Sequence, residues 1–339
     1  MSFSAPSGER VDAGPSSGVL LGMDCLPAEL IDALLGGMLE PAERTHSYEH
    51  LASCPACVER LTRAGEQILG GGSLCPGRLV ARRYRIIRFV AQGGMGEVYE
   101  AYDTELSVRV ALKMVAAAGE QRPAALRALA REVLLARSIA HPNVCRIFDL
   151  GLQEGDLREL PLRFLTMEFV DGERLSAYIA AGPMELGLVH GIARDLLRGL
   201  GAAHRAGVLH RDFKSDNVLL REGVTPVPQA VVMDFGLARS LGQHGARSSL
   251  TNHRVEGSLY YMAPEQLLGQ ALGWETDVYG FGVVLFEMLT GRTPFEEQIT
   301  LGAAMQRCNA PPPSPSALVP TLPPALEQLV QRCLSPARA

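Results

Sequence analysis

His210-Arg211-Asp212-Phe213-Lys214-Ser215-Asp216-Asn217 is the stretch on which the reading of this 339-residue chain turns. It places a carboxylate, an ammonium and an amide within one short loop. Asp234-Phe235-Gly236 follows, then Ala263-Pro264-Glu265. Upstream, Ala91-Gln92-Gly93-Gly94-Met95-Gly96-Glu97-Val98 lies between two strand-like runs, and Lys113 sits in Val110-Ala111-Leu112-Lys113. Each piece alone has a bland reading: a Gly-rich hairpin, a solvated lysine on a strand. Together, in one order, they do not. Backbone without side chains at the glycines can close over a polyphosphate, whose oxygens its N–H groups can bond. The amide oxygen of Asn217 and the carboxylate of Asp234 are hard donors of the kind Mg2+ takes. The pattern G-x-x-x-x-G-K-[ST] is absent, which excludes a P-loop NTPase.

In this order the segments resemble those of the protein kinase family, in particular the bacterial serine/threonine kinases of eukaryotic type. The resemblance runs from about Arg82 to the C-terminus. It implies an α+β, two-lobed protein-kinase fold over 82–339. An antiparallel sheet with one helix forms the N-lobe (82–170), and a mainly helical C-lobe spans 171–339. It implies transfer of the ATP γ-phosphate to Ser/Thr hydroxyls of protein substrates, with ATP and Mg2+ as cofactors and autophosphorylation expected. Asp212 would accept the substrate hydroxyl proton, and Lys214, which matches the serine/threonine branch, would steady the γ-phosphate. Lys113 would hold the α- and β-phosphates, with Glu132, mid-helix in Ala130-Arg131-Glu132-Val133, as its ion-pair partner. Asn217 and Asp234 would hold Mg2+. The nucleotide would lie against Ala91, Gly93, Gly94, Gly96, Val98 and Ala111, with Met167 as gatekeeper and Glu168 to Val170 as the hinge.

The same resemblance gives Phe235 a place under the helix of Glu132 and makes Asp277 an anchor for the catalytic loop. Arg211 would read a phosphate on the segment between Asp234 and Glu265. Thr251 is the best-placed acceptor there, and Ser248 and Ser249 are its rivals; Ser258 belongs to the substrate site. Three departures stand out. Ala91 occupies the place of the first family glycine. Phe213 replaces the commoner Leu. The last family helix, with the Arg that pairs with the Ala-Pro-Glu glutamate, has no match, so Glu265 is expected unpaired and some apolar surface exposed.

Around these motifs the chain divides readily. Residues 1–22 are Ser/Pro/Gly-rich and expected to be disordered. A helical module is expected over 23–69, and a flexible linker containing Gly70-Gly71-Gly72-Ser73 over 70–81. Strands are expected at Tyr84 to Val90, Glu97 to Tyr102, Val108 to Val115, Cys145 to Leu150 and Phe164 to Glu168. A helix opens at Pro123 and runs to about Ala140. Leu188, Ile192, Leu196 and Leu200 give one apolar helical face that stops near Gly207. The formal net charge is -5. Residues 1–77 hold four Lys/Arg against ten Asp/Glu, and the rest 28 against 27. The acidity is therefore local, and no basic footprint for nucleic acid exists. No apolar run reaches the length of a membrane span. Val278 to Leu289 comes nearest, but it contains Glu287 and reads as a buried core helix. With no signal peptide and seven scattered cysteines, a cytoplasmic location is expected.

In the N-terminal module, His50-Leu51-Ala52-Ser53-Cys54-Pro55-Ala56-Cys57 has the H-x3-C-x2-C spacing of a tetrahedral zinc site. Cys25 is the natural fourth ligand, with Cys75 and His46 as rivals. The stretch Glu29 to Leu61 resembles the zinc-binding anti-sigma factor domain, including Leu39-Glu40-Pro41-Ala42-Glu43-Arg44. The plain alternative is a Cys-x2-Cys turn that binds nothing, or a redox pair. Cys145, Cys308 and Cys333 read as apolar thiols of the core. The readings that follow are a serine/threonine kinase regulated by its N-terminal module, which is also open to a partner protein; alternatively, a pseudokinase scaffold; or an anti-sigma-like binder with a regulatory kinase domain.

Overall fold

The structure, a computed structural model, describes residues 25–67, 72–93, 96–115, 123–154, 161–222, 227–235, 259–295, 304–305, 308 and 311–335. The expected disorder at 1–22 lies outside these residues. So do Gly94, Gly236 and the candidate hydroxyls Ser248, Ser249, Thr251 and Ser258.

β-branched and aromatic runs broken by glycine build a six-stranded antiparallel sheet. Its strands are β1 (Leu79–Val80), β2 (Tyr84–Gly93), β3 (Gly96–Asp103), β4 (Val108–Val115), β5 (Ile147–Gln153) and β6 (Leu162–Glu168). Their order is β1-β2-β3-β4-β6-β5. Strand β4 shows why alternation matters. Ala111 and Val115 join a cluster with Leu129, Val133 and Ala136, residues of helix α4 (Pro123–Arg137). Val110, Leu112 and Met114 point the other way, against Ile86, Tyr99 and Phe164. Successive side chains alternate faces, so a strand covered on both sides is largely apolar, here Val110 to Val115 broken by Lys113. Helix α4 opens on proline, as expected, but ends at Arg137. There Ser138 and Ile139 tighten the chain with bonds to the carbonyls of Leu135 and Ala136.

The stretch expected as linker is packed from residue 72 onward. Leu74 is buried, its N–H donates to Tyr99 Oη at 2.9 Å, and β1 pairs with β2. Burial of the Leu74 side chain against an uncovered sheet face offsets part of the entropy lost in ordering this stretch.

In the C-terminal half, helices α5 (Leu175–Ala180) and α6 (Leu186–Arg205) precede β8 (Val218–Arg221) and β9 (Gln229–Val232), which form a small sheet with β7 (Glu173–Arg174). Helix α6 buries Val189, Ile192, Leu196, Leu200 and Ala203, and Gly207 beyond it takes φ 73°. Helices α7 (Pro264–Leu268), α8 (Trp274–Thr290) and α9 (Pro324–Leu334) complete this half. Every residue of α8 from Tyr279 to Thr290 is buried, the mark of a helix enclosed on all sides. Against it α9 lays Leu326, Val330 and Leu334.

The N-terminal segment folds as three helices, α1 (Ala28–Gly36), α2 (Pro41–Ser53) and α3 (Pro55–Gln67). Their shared core of Leu26, Ile31, Leu34, Leu51 and Leu61 continues into Ile87 and Tyr102 of the sheet.

Candidate active site

Strand pairing brings the first group together. Val98 lies opposite Lys113, Ala111 opposite Met167, and Ala91 opposite Val98 on the β2–β3 hairpin. Gly93 faces Gly96, which takes φ 134°, a conformation closed to side-chain-bearing residues. Met167 and Val170 are buried in the cluster of Ala111, and Glu168 N donates to Arg146 O at 2.8 Å. Leu219 and Met233 pack against this cluster from below. Sequence reasoning did not single them out, although each adjoins a motif: Leu219 follows Asn217 by two on β8, and Met233 precedes Asp234.

The catalytic loop is held from beneath. Asp277, its side chain wholly buried at the start of α8, accepts from the N–H groups of His210 and Arg211, both at 2.8 Å, and meets His204 Nε2 at 2.7 Å. Burial pushes its carboxyl up, but these hydrogen bonds and the neighbouring His210 hold it below the usual carboxylate range. Arg211 and Asp234 both adopt left-handed backbone, φ 66° and 58°. Such strain persists only where surrounding contacts over-determine it, and Asp277 provides them at Arg211. Asp277 thus meets the backbone of the loop it was expected to anchor.

On this base, Lys214 Nζ lies 3.1 Å from Asp212 Oδ2, and Asn217 Nδ2 lies 3.3 Å from the same oxygen and 2.7 Å from Asp212 O. His210 Nε2 reaches Met233 O at 2.8 Å, tying the loop to the strand that presents Asp234. The expected ion pair of Lys113 with Glu132 is corrected here. Lys113 Nζ meets Asp234 Oδ1 at 2.7 Å, and Glu132 Oε1 accepts from Arg211 Nη1 at 2.8 Å. Burial pushes the Asp234 carboxyl up, yet Lys113 beside it holds it low. Phe235 packs on His210, ring centroids 4.8 Å apart, in the cluster of the C-terminal half with Ile139, which lies just past α4.

Glu265 is not unpaired, as had been expected: Thr276 Oγ1 donates to its Oε1 at 2.6 Å. Gln266 Nε2 bonds Arg211 O at 2.7 Å, so the start of α7 also touches the catalytic loop. A further buried chain escaped sequence reasoning. Tyr261 Oη donates to Glu287 Oε2 at 2.8 Å and lies 3.0 Å from Ser215 Oγ. Burial raises the Glu287 carboxyl above its ordinary value. The only signal in the sequence was an acid inside an apolar helix.

At the other end of the chain, ligand atoms of Cys25, His50, Cys54 and Cys57 all lie within 4.8 Å of one another. His50 Nε2 is 3.3 Å from Cys57 Sγ, and Leu26 N–H points at that sulfur at 3.2 Å. Burial pushes the Cys57 thiol up to about 11, while the backbone N–H of Cys57 lowers Cys54. Of the rivals for the fourth place, Cys25 is the one the fold brings in; Cys75 and His46 are elsewhere. Cys145 is buried, and Cys308 and Cys333 are partly so.

The chain belongs to the protein kinase family, whose protein kinase domain matches residues 84–338. It is similar to the serine/threonine-protein kinase Pkn1 of Myxococcus xanthus, 32% identical over 312 residues, which cover 88% of this chain and 43% of that protein. The serine/threonine-protein kinase PrkC of Bacillus subtilis is 33% identical over 256 residues, 75% of this chain and 37% of PrkC. The crystal structure of the PknI kinase domain of Mycobacterium tuberculosis matches with a TM-score of 0.60 and 25% identity, over 78% of this chain and 92% of that one. The chain thus has the protein kinase fold, and it spans about two fifths of the length of these curated relatives. Among the described residues, no helix is long and apolar enough to cross a membrane.

Proposed function

We propose that this chain is an ATP-dependent protein serine/threonine kinase. The observation that carries the reading is the convergence of Asp212, Lys214 and Asn217 on one loop beside the Lys113–Asp234 pair. Phosphoryl transfer asks mainly for positioning and charge. Asp212 orients the substrate hydroxyl and accepts its proton as the oxygen bonds to the γ-phosphorus and ADP leaves. Lys214 draws the γ-phosphate, and Lys113 the α- and β-phosphates. Asn217 and Asp234 offer the oxygens that would hold Mg2+, which supplies positive charge to the β- and γ-phosphates. Autophosphorylation on Ser or Thr is part of the reading, with Thr251, Ser248 or Ser249 as acceptors that engage Arg211. Arg211 Nε, buried and without a hydrogen-bond partner among the described residues, supports that role. The test is transfer of labelled γ-phosphate to the chain and to a basic protein substrate. Incorporation should vanish in Asp212→Asn, and wild-type incorporation by that variant would refute the assignment.

We infer further that residues 23–69 form a zinc-holding regulatory module, open to a partner protein, ahead of the kinase domain. Three thiols and an imidazole within tetrahedral reach are the donor set zinc takes, and the thiols must lose their protons to bind it. Metal analysis of the full chain, purified in reducing buffer, should find one zinc, lost in Cys57→Ser. Seven free cysteines favour the reducing cytoplasm as the location.

A further inference from the structure

The N-terminal helices do more than precede the kinase domain: one face of α2 is seated on it. Arg44, Tyr48 and Leu51 recur at helical spacing, so they share a side of α2. Tyr48 stacks on Tyr102 of β3, ring centroids 5.3 Å apart, and its hydroxyl donates to Glu100. Glu100 is 2% exposed and also binds Arg88 Nε at 2.7 Å and Arg109 Nε at 2.6 Å. Arg109 in turn grips Asp171, with Nη2 to Oδ1 at 2.8 Å, and lies over the Phe169 ring at 3.9 Å. Arg44 reaches the other Asp171 oxygen at 2.8 Å and anchors itself on Leu39 O at 2.6 Å. Asp171 directly follows the hinge residues Glu168 to Val170. The helix therefore touches the hinge twice, once through Glu100 and Arg109 and once through Arg44.

The opposite end of α2 carries the thiol and imidazole cluster. His50 lies two residues beyond Tyr48, Cys54 caps the helix, and Cys57 begins α3. Leu51 ties α2 to the core it shares with Leu61 of α3, and Ser47, Tyr48 and Leu51 are the residues that α2 buries. An ion held by His50, Cys54 and Cys57 would add a second tie between α2 and α3 beside that core and restrict the angle at which α2 meets the sheet.

We propose that metal occupancy at Cys25, His50, Cys54 and Cys57 controls the nucleotide hinge of this kinase domain through α2, by way of Tyr48–Glu100 and Arg44–Asp171. This rests on both the metal and the kinase readings above. The seated helix holds Phe169 and Asp171 in place before nucleotide arrives. Loss of the ion releases α2, and the nucleotide must then order the hinge itself, which lowers its affinity.

The experiment uses the full chain and a fluorescent non-hydrolysable ATP analogue with excess Mg2+. Affinity is measured before and after a zinc-selective chelator, with zinc release followed by dye. Hydrogen exchange of the peptide spanning 166–172 is followed in parallel. In the wild type, affinity should fall at least about five-fold on zinc release, and the 166–172 peptide should lose protection. In Arg44→Ala/Tyr48→Phe, which keeps all four ligands, zinc release should change neither. Unchanged wild-type affinity and protection after confirmed release overturn this inference and leave the metal reading standing. The same response in the double variant overturns the route through α2. A chain that never holds zinc overturns the metal reading together with this one, and a chain that binds no nucleotide in either state overturns the kinase reading as well.

Discussion

Glu132 and Arg211 are joined across the cleft, Oε1 to Nη1 at 2.8 Å, with side chains 19% and 24% exposed. The carboxylate expected at Lys113 is thus engaged by the catalytic loop, and Lys113 lies against Asp234 instead. The exchange is balanced in charge. Lys113 is 5% exposed and would be costly to bury without a carboxylate beside it. On the proposed reading each pair holds a group with a second role: Asp234 for the metal, Glu132 for the lysine, Arg211 for a loop phosphate. On that reading the arrangement is a resting one, and a working one follows by trading partners.

Glu132→Gln separates the two roles of that carboxylate. If it served only to hold the resting arrangement, its loss would raise activity. Because the traded arrangement also needs it at Lys113, phosphoryl transfer should fall at least about ten-fold. Stability should change little, by about 1 kcal/mol or less, since the pair with Arg211 is partly solvated. Labelled-phosphate assays and urea unfolding, run on the same preparation, read both quantities.

Lys113→Met and Asp212→Asn should fail in different ways. On the proposed reading the lysine grips phosphates in the ground state, so its loss should weaken nucleotide binding about ten-fold or more, the worth of a charge-assisted hydrogen bond. Asp212 contributes at the moment of transfer, so its variant should bind nucleotide at nearly wild-type affinity and lose at least about 100-fold in rate. Equilibrium binding of the ATP analogue beside single-turnover transfer distinguishes them. Equal loss of affinity in both would contradict the division of labour.

The residues proposed to carry the chemistry could be picked out in the chain because that chemistry asks for their type: carboxylates at Asp212 and Asp234 and an amide oxygen at Asn217. Asp277 was readable for a related reason, as an acid at the mouth of a helix too apolar to be exposed. Partners were another matter. The sequence states that Glu132, Lys113, Arg211 and Asp234 are charged, but which pairs form depends on how the two lobes sit. Glu265 was expected to lack its arginine, yet Thr276, a hydroxyl with no recognisable motif, accepts the task. Leu74 looked like the edge of a glycine-rich tether until the bare face of β2 and β3 gave it somewhere to go. Cys25 could be preferred to Cys75 and His46 only weakly from spacing, because the loop before α1 fixes its distance to His50.

Gly199 tests the packing that carries the site. It lies on α6, where an added Cβ would stand 2.7 Å from the carbonyl oxygen of Asn143. That carbonyl accepts from Val232 N at 3.0 Å, on the strand leading to Asp234. A rigid backbone atom cannot step aside as a side chain can, so Gly199→Ala should push α6 from β9. The expected cost is about 1–3 kcal/mol, read as a lower denaturation midpoint.

Asp277 makes a prediction in pH. Its carboxylate faces the N–H groups of His210 and Arg211 and the ring of His204, and its folded pKa lies below the ordinary value near 3.9. For a depressed acid the folded state binds fewer protons than the unfolded one. The stability it contributes is therefore complete above about pH 4 and is lost as pH falls through the lower, folded value. Asp277→Asn removes this titration and turns an amide nitrogen toward one of the backbone donors, at a cost of about 1–3 kcal/mol at pH 7. The gap between wild-type and variant unfolding midpoints should be full at pH 7 and pH 5 and should close below about pH 4. A gap that stayed constant down to pH 3 would mean that Asp277 holds the loop by shape alone and not by its charge.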